Sequence, residues 1–172
     1  MVLCVKTTSW AKQSEWRDGG PSADEHNKIK GHKPDGSVRL CMDPSHLNKA
    51  IKRRHFPMKT VEEVVSRMPD AKIFSVLDAK HGFWQIRLDE ASSKMCTFST
   101  PFGRYRFQRL PCGVSDAPEV FQQVMTEYFG DIAEVVVDDI LVWGKSTAEH
   151  DEKMIKVLER CRKLGIKLNK KS

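Results

Sequence analysis

EVVVDDILVWGK, residues 134–145, decides how this 172-residue chain is read, because two adjacent acids, Asp138 and Asp139, interrupt two β-branched, apolar runs. Asp is at home in tight turns, so a plain hairpin with no chemistry satisfies the pattern. The competing reading is that both carboxylates hold a metal ion, since like charges held close together repel unless a cation compensates them. A third acid separates the two readings. Asp78 closes the apolar run FSVLD, 138 − 78 = 60 residues upstream, and two strands side by side in one sheet would bring it to the pair. Successive strand residues point to opposite faces, so only one of the two adjacent acids can aim at the spot that Asp78 addresses. Asp138 is expected in that role, with Asp139 supporting from the side. Carboxylates converging from neighbouring strands suit Mg2+, whose oxygen coordination is completed by water and substrate phosphates. A two-ion site of that kind serves in-line displacement at phosphorus, which makes phosphoryl or nucleotidyl transfer the implied reaction class.

Outward from the hairpin, residues 146–165 (STAEHDEKMIKVLERCRKLG) read as a long helix, opened by a Ser146/Glu149 capping box and closed by Gly165. Residues 115–129 (SDAPEVFQQVMTEYF) read as a second, with Ser115 or Asp116 at the N-cap and Pro118 in the first turn. A third, short helix is expected over residues 60–68, where Thr60 and Glu63 form a capping box. Strands are expected in AKIFSVLDA (71–79), FWQIRLD (83–89), KMCTFST (94–100) and YRFQRL (105–110). Another follows the turn Pro34-Asp35-Gly36, with Val38, Leu40 and Met42 on one face. Residues 1–32 show no period and are expected to be irregular or poorly ordered, so the ordered domain is set at 33–172. Helices alternating with antiparallel strands predict an α+β fold with the helices on one face of the sheet.

Lys and Arg number 29 against 23 acids, a net charge of +6 that favours a polyanionic partner. The densest basic runs are NKAIKRRH (48–55) and CRKLGIKLNKKS (161–172), each equally readable as a solvated face. The five cysteines, Cys4, Cys41, Cys96, Cys112 and Cys161, are odd in number and contain no C-x-x-C pair. That spacing argues against a disulfide framework or a structural zinc site and for free thiols in a reducing compartment. With no apolar run near the ~20 residues of a membrane span and no signal-peptide core, the expectation is an intracellular protein of cytoplasm or nucleus.

Five ordered motifs carry a resemblance: RLCMDPSHLNKAIKR, FSVLDAKHGFWQI, FQRLPCGVSDAPEVFQ, VDDILVWGKS and GIKLNKKS. Over residues 33–172 the chain resembles the fingers and palm of reverse transcriptases from gypsy-type LTR retrotransposon polyproteins. The resemblance implies a palm-type antiparallel sheet with partial fingers. It also implies an RNA-directed DNA polymerase activity in which Asp78, Asp138 and Asp139 bind two Mg2+ ions, with Mn2+ as an alternative. A primer 3′-hydroxyl on an RNA or DNA template would attack the α-phosphate of a deoxynucleoside triphosphate. Phe83 matches the aromatic steric gate against a 2′-hydroxyl; read without the family, it is a core ring. Arg39 matches a fingers arginine whose planar fork suits triphosphate oxygens, and Lys33 a lysine with a similar task. Gly113 of LPCG matches the loop near the nascent base pair, and Lys170 or Lys171 a basic residue near the leaving pyrophosphate.

The chain also departs from the family pattern. Val136 stands two residues before Asp138, where the family carries Tyr, and the strand expected just before KPDG is replaced by DEHNKIKGH. The sequence stops before the regions that follow the palm in the family: primer grip, thumb, connection and ribonuclease H. The expectation is therefore a truncated fingers–palm fragment with weak or no activity. A non-enzymatic nucleic-acid- or protein-binding relic of a retroelement is the alternative, and another palm-type enzyme such as a nucleotidyl cyclase a third reading.

Overall fold

A computed structural model of the chain describes residues 28–32, 38–52, 55–57 and 59–170, with the backbone alone at 28–32 and 38–40. The described residues fall into two compact units. One is drawn from the chain up to Arg54 and from Phe83–Ala117, the other from His55–Gly82 and from Pro118 onward.

In the first unit, β1 (Lys28–His32) and β2 (Val38–Asp43) form an antiparallel pair with an irregularity between Lys30 and His32. The sequence predicts an irregular segment up to residue 32 and no strand before KPDG; the structure corrects this at Lys28–His32, while residues 1–27 of that segment lie outside the described residues. KIKGH lacks an apolar alternation, yet a hairpin strand needs only a partner for its backbone groups, and β2 supplies it. A short helix, α1 (Ser45–Ala50), follows Pro44. FWQIRLD is not the expected strand. It opens with a single 3-10 turn, Gly82–Gln85, and pairs only at an isolated Arg87–Arg109 bridge. Arg109 Nη1 donates to the carbonyls of Trp84 (3.2 Å) and Gln85 (3.3 Å), taking up acceptors that a strand neighbour would otherwise use.

Lys94 and Met95, also expected in a strand, belong to α3 (Glu90–Met95), whose N-cap Asp89 accepts from the Ser92 N–H at 2.7 Å. The strand part of that run is β4 (Thr97–Thr100), paired antiparallel with β5 (Gly103–Arg106). Phe98, Phe107, Ile86, Leu88, Cys96 and Leu110 are buried, and the Phe98 and Phe107 ring centroids lie 4.9 Å apart.

The second unit holds the larger sheet. Its strands are β3 (Ile73–Asp78), β6 (Glu134–Val136) and β7 (Asp139–Gly144), in the order β3-β7-β6, all antiparallel. Three helices accompany them: α2 (Val61–Ser66), α4 (Ala117–Phe129) and α5 (Thr147–Leu164). Two of the expected helix starts are capped, the second without the full capping box because Glu149 Oε2 accepts from the Lys145 N–H and not from Ser146. Thr60 and Glu63 close a capping box, Ser146 accepts from the Glu149 N–H, and Gly165 adopts the left-handed conformation at φ 69°.

One face of this sheet is core: Val135, Ile140 and Val142 are buried, as are Val120, Phe121, Phe129, Val157 and Cys161 of α4 and α5. The alternate positions Phe74 and Val76 of β3 are about half exposed, so the second face is open there. A Cβ on Gly144 would lie 2.6 Å from the His150 backbone nitrogen, which shows how closely the first turn of α5 approaches the end of β7. His150 itself is buried, with Nε2 3.0 Å from the Ser75 hydroxyl. No helix among the described residues is long and apolar enough to cross a membrane.

Candidate active site

The three acids belong to the second unit, and the strand register brings them to one end of its sheet. Asp78, the last residue of β3, is the cross-strand partner of Asp139, the first residue of β7. Directly opposed residues of antiparallel strands share a face, with Cα atoms about 4.5–5.5 Å apart. Asp138, expected to aim at the spot that Asp78 addresses, sits in the two-residue turn Val137-Asp138, closed by the pair Val136–Asp139. The turn is too tight to carry the strand one residue further, so Asp139 takes the opposed position. Asp138 stays close all the same: its carbonyl accepts from the Ala79 N–H at 3.4 Å. A Cβ built on Gly82 would lie 3.2 Å from Phe121 Cζ and 3.5 Å from Asp138 Oδ1, so Gly82 packs closely on the Phe121 ring with this carboxylate at contact distance.

Two further residues shape the acidic end; Gln122 closes the motif FQRLPCGVSDAPEVFQ and Asn169 lies in GIKLNKKS, but nothing in either motif assigns them a role. Gln122 of α4 is 2% exposed. Its Nε2 donates to the Val135 carbonyl at 2.8 Å and to Thr126 Oγ1 at 3.2 Å, while its Oε1 accepts from the Val137 N–H at 2.6 Å. β6 is the edge strand, so the side-chain amide of Gln122 plays the part of a missing neighbour's peptide. It does so where Val137 holds φ at +54°, a conformation that β-branched residues rarely adopt. Strain of that kind, of order 1–3 kcal/mol, persists only where surroundings over-determine it. The second residue is Asn169, whose Nδ2 donates to Asp78 Oδ2 at 2.6 Å.

Among the described residues no three His, Cys, Asp or Glu side chains gather closely enough to hold an ion by themselves. Asp78 and Asp139 still supply two hard oxygen donors on one face. Because Mg2+ takes one or two carboxylates and completes its sphere with water and phosphate, this pair fits as the protein's share of a Mg2+ site.

Phe83 lies half-buried in the 3-10 turn, five residues after Asp78, and belongs to the first unit. Gly113, also in the first unit, has φ +105°, and a Cβ there would sit 1.7 Å from the Met42 carbonyl oxygen of β2. Close backbone approach is thus required at Gly113, and the chain's own strand makes it. Asn48 clasps the same loop, donating to the Gly113 carbonyl (3.0 Å) and accepting from the Ser115 N–H (2.8 Å). Arg39 contributes its backbone to β2. The Arg39 side chain and all of Lys33 and Lys171 lie outside the described residues, while Lys170 is exposed directly after Asn169.

Residues 31–171 match the family model described as reverse transcriptase (RNA-dependent DNA polymerase). The chain is 38% identical over 135 residues to the retrovirus-related Pol polyprotein from transposon 412 of Drosophila melanogaster, covering 76% of this chain and 11% of that protein. It is 34% identical over 139 residues to the enzymatic polyprotein of cauliflower mosaic virus (strain Strasbourg), covering 79% of this chain and 20% of that protein. The chain thus spans a fifth or less of these relatives' length. Among solved structures, the foamy viral protease-reverse transcriptase in complex with ds DNA superposes with a TM-score of 0.72 at 23% identity, covering 81% of this chain and 25% of that one. The same protein with an RNA/DNA hybrid gives a TM-score of 0.69 at 23% identity, over 80% of this chain and 19% of that one.

Proposed function

Because the chain belongs to the reverse transcriptase (RNA-dependent DNA polymerase) family, we propose that it carries the nucleotidyl-transfer centre of a retroelement polymerase, extending a primer 3′-hydroxyl with deoxynucleoside triphosphates. The observation that carries this reading is the opposition of Asp78 and Asp139 at one end of β3 and β7, with Asp138 in the adjoining turn. The primer and template would be RNA or DNA. The nucleic acids bound by the foamy viral enzymes support such a partner, as does the net charge of +6.

Asp78, Asp138 and Asp139 are the proposed holders of two divalent ions, Mg2+ or alternatively Mn2+. Such ions supply charge neutralisation and polarise the attacking and leaving oxygens. The chain's own residues bind, orient and exclude. Arg39 and Lys33 are assigned to the triphosphate, where guanidinium and ammonium groups pair with phosphate oxygens. The Phe83 ring is assigned to the space that a 2′-hydroxyl would need. The LPCG loop, fixed through Gly113 and Asn48, is assigned to the surface beneath the nascent base pair. Lys171 is assigned to the leaving pyrophosphate. Val136 would leave uncovered some of the primer surface that the family's Tyr contacts, so extension is expected to be slow.

Primer extension by the purified chain with Mg2+ tests the proposal, with Asp78→Asn and Asp139→Asn as the decisive variants. Both should abolish extension and leave template retention intact. Template binding with no extension by the unaltered chain would instead favour the non-enzymatic alternative.

A further inference from the structure

After Gly165 ends α5, the chain turns back on itself, with the Ile166 N–H donating to the Cys161 carbonyl at 2.8 Å. The next residues run along the free edge of β3, the side opposite β7. The Lys80 N–H donates to the Lys167 carbonyl at 2.8 Å, Ala79 and Leu168 form an antiparallel bridge, and the Asn169 N–H donates to the Asp78 carbonyl at 2.9 Å. Asp78 is therefore held on both flanks, by β7 on one and by this short return on the other. The side chain of Asn169 then reaches the carboxylate itself, Nδ2 to Oδ2 at 2.6 Å. Among the described residues Oδ1 receives no hydrogen bond.

We propose that Asn169 is a positioning residue for Asp78: its amide fixes the rotation of the carboxylate and engages one oxygen, leaving the other turned to a divalent cation. The proposal rests on reading Asp78 as a metal-binding acid. Three features support a positioning role over simple packing. The donor is neutral, so it orients the carboxylate without neutralising the charge a cation needs. Both the backbone and the side chain of one residue address the same aspartate, which fixes the amide relative to the carboxylate. The return segment is tied to the end of α5, so the orienting group hangs from a rigid element. Partners of this kind typically contribute about 10–100-fold to metal affinity.

Mn2+ binding, followed by electron paramagnetic resonance without nucleotide or template, tests the proposal at a temperature where every variant is folded by circular dichroism. Asn169→Leu keeps the branched shape and removes the donor; it should weaken Mn2+ binding about 10-fold. Asn169→Gln, which restores an amide, should recover much of that loss. In primer extension the Mg2+ concentration for half-maximal rate should rise in Asn169→Leu while KM for primer–template stays unchanged. A residue that merely packs would lower thermal stability in Asn169→Leu and leave the Mn2+ affinity alone, and that result would overturn the proposal. Asp78→Asn separates the two levels of inference. Loss of Mn2+ binding there with an unchanged Asn169→Leu refutes only the role of Asn169. Unchanged binding in Asp78→Asn removes the metal-site reading itself.

Discussion

Replacing Gln122 with Leu should loosen the acidic hairpin more than any surface change, and the size of the effect follows from the groups left behind. The Val135 carbonyl loses its Gln122 donor in a buried setting, costing about 1–3 kcal/mol. The Val137 N–H loses its acceptor too. Val137 is 39% exposed, so water can serve that N–H and the loss is nearer 0.5–1.5 kcal/mol. Leu retains most of the apolar contact, so the total is set at about 2–4 kcal/mol. Urea unfolding should show a lower midpoint with an unchanged slope, and amide hydrogen exchange should quicken at Val137 ahead of the buried strand β7. Gln122→Glu should cost more at neutral pH than Gln122→Leu, because it also buries a charge without a donor for the Val135 carbonyl. A loss below about 1 kcal/mol in Gln122→Leu, with Val137 exchange unchanged, would refute the view that this amide holds the turn.

Gly113→Ala puts a methyl group where the Met42 carbonyl stands, at φ +105°, and should destabilise the chain by about 2–4 kcal/mol, seen as a lower thermal midpoint. Burial raises the Cys96 thiol from 9.0 to about 12, so the stability it contributes is complete below pH 9 and is lost as pH rises toward 12, where the unfolded chain releases the proton first. The thermal midpoint should therefore fall between pH 8 and pH 10.5 and do so less in Cys96→Val; equal slopes would contradict this. Val136→Tyr should raise the primer-extension rate, since Val136 pairs with Asp139 beside the acids; an unchanged rate would show that the ring is dispensable in this chain.

Much of the architecture is local and was therefore legible. The caps at Thr60, Ser146 and Gly165 satisfy helix-end groups from within a few residues, so their sequence signals survive into the structure. The apolar run ending at Asp78 and the acidic hairpin each form the strands their patterns imply. FWQIRLD shows where pattern alone fails. Its alternation is real from Ile86 to Leu88, both buried, but Arg109, more than twenty residues later, takes the carbonyls of Trp84 and Gln85 and the first half coils into a 3-10 turn. β1 fails in the opposite sense, because its backbone pairing with β2 needs no apolar code.

At the site, the sequence by itself named three candidate acids, because carboxylates at the ends of apolar runs and the ordered motifs around them are chemical identities that folding does not change. Only the tertiary structure decided which acid faces which. A shift of one residue flips a strand side chain to the other face, and the two-residue turn sets Asp139 opposite Asp78 and leaves Asp138 at the bend. Gln122 and Asn169 lie inside two of the ordered motifs, but the contacts they make were beyond reach of the sequence. Each acts on a group 13 to 91 positions away along the chain, and a hydrogen bond across such a span exists only once the sheet and helices have closed around it.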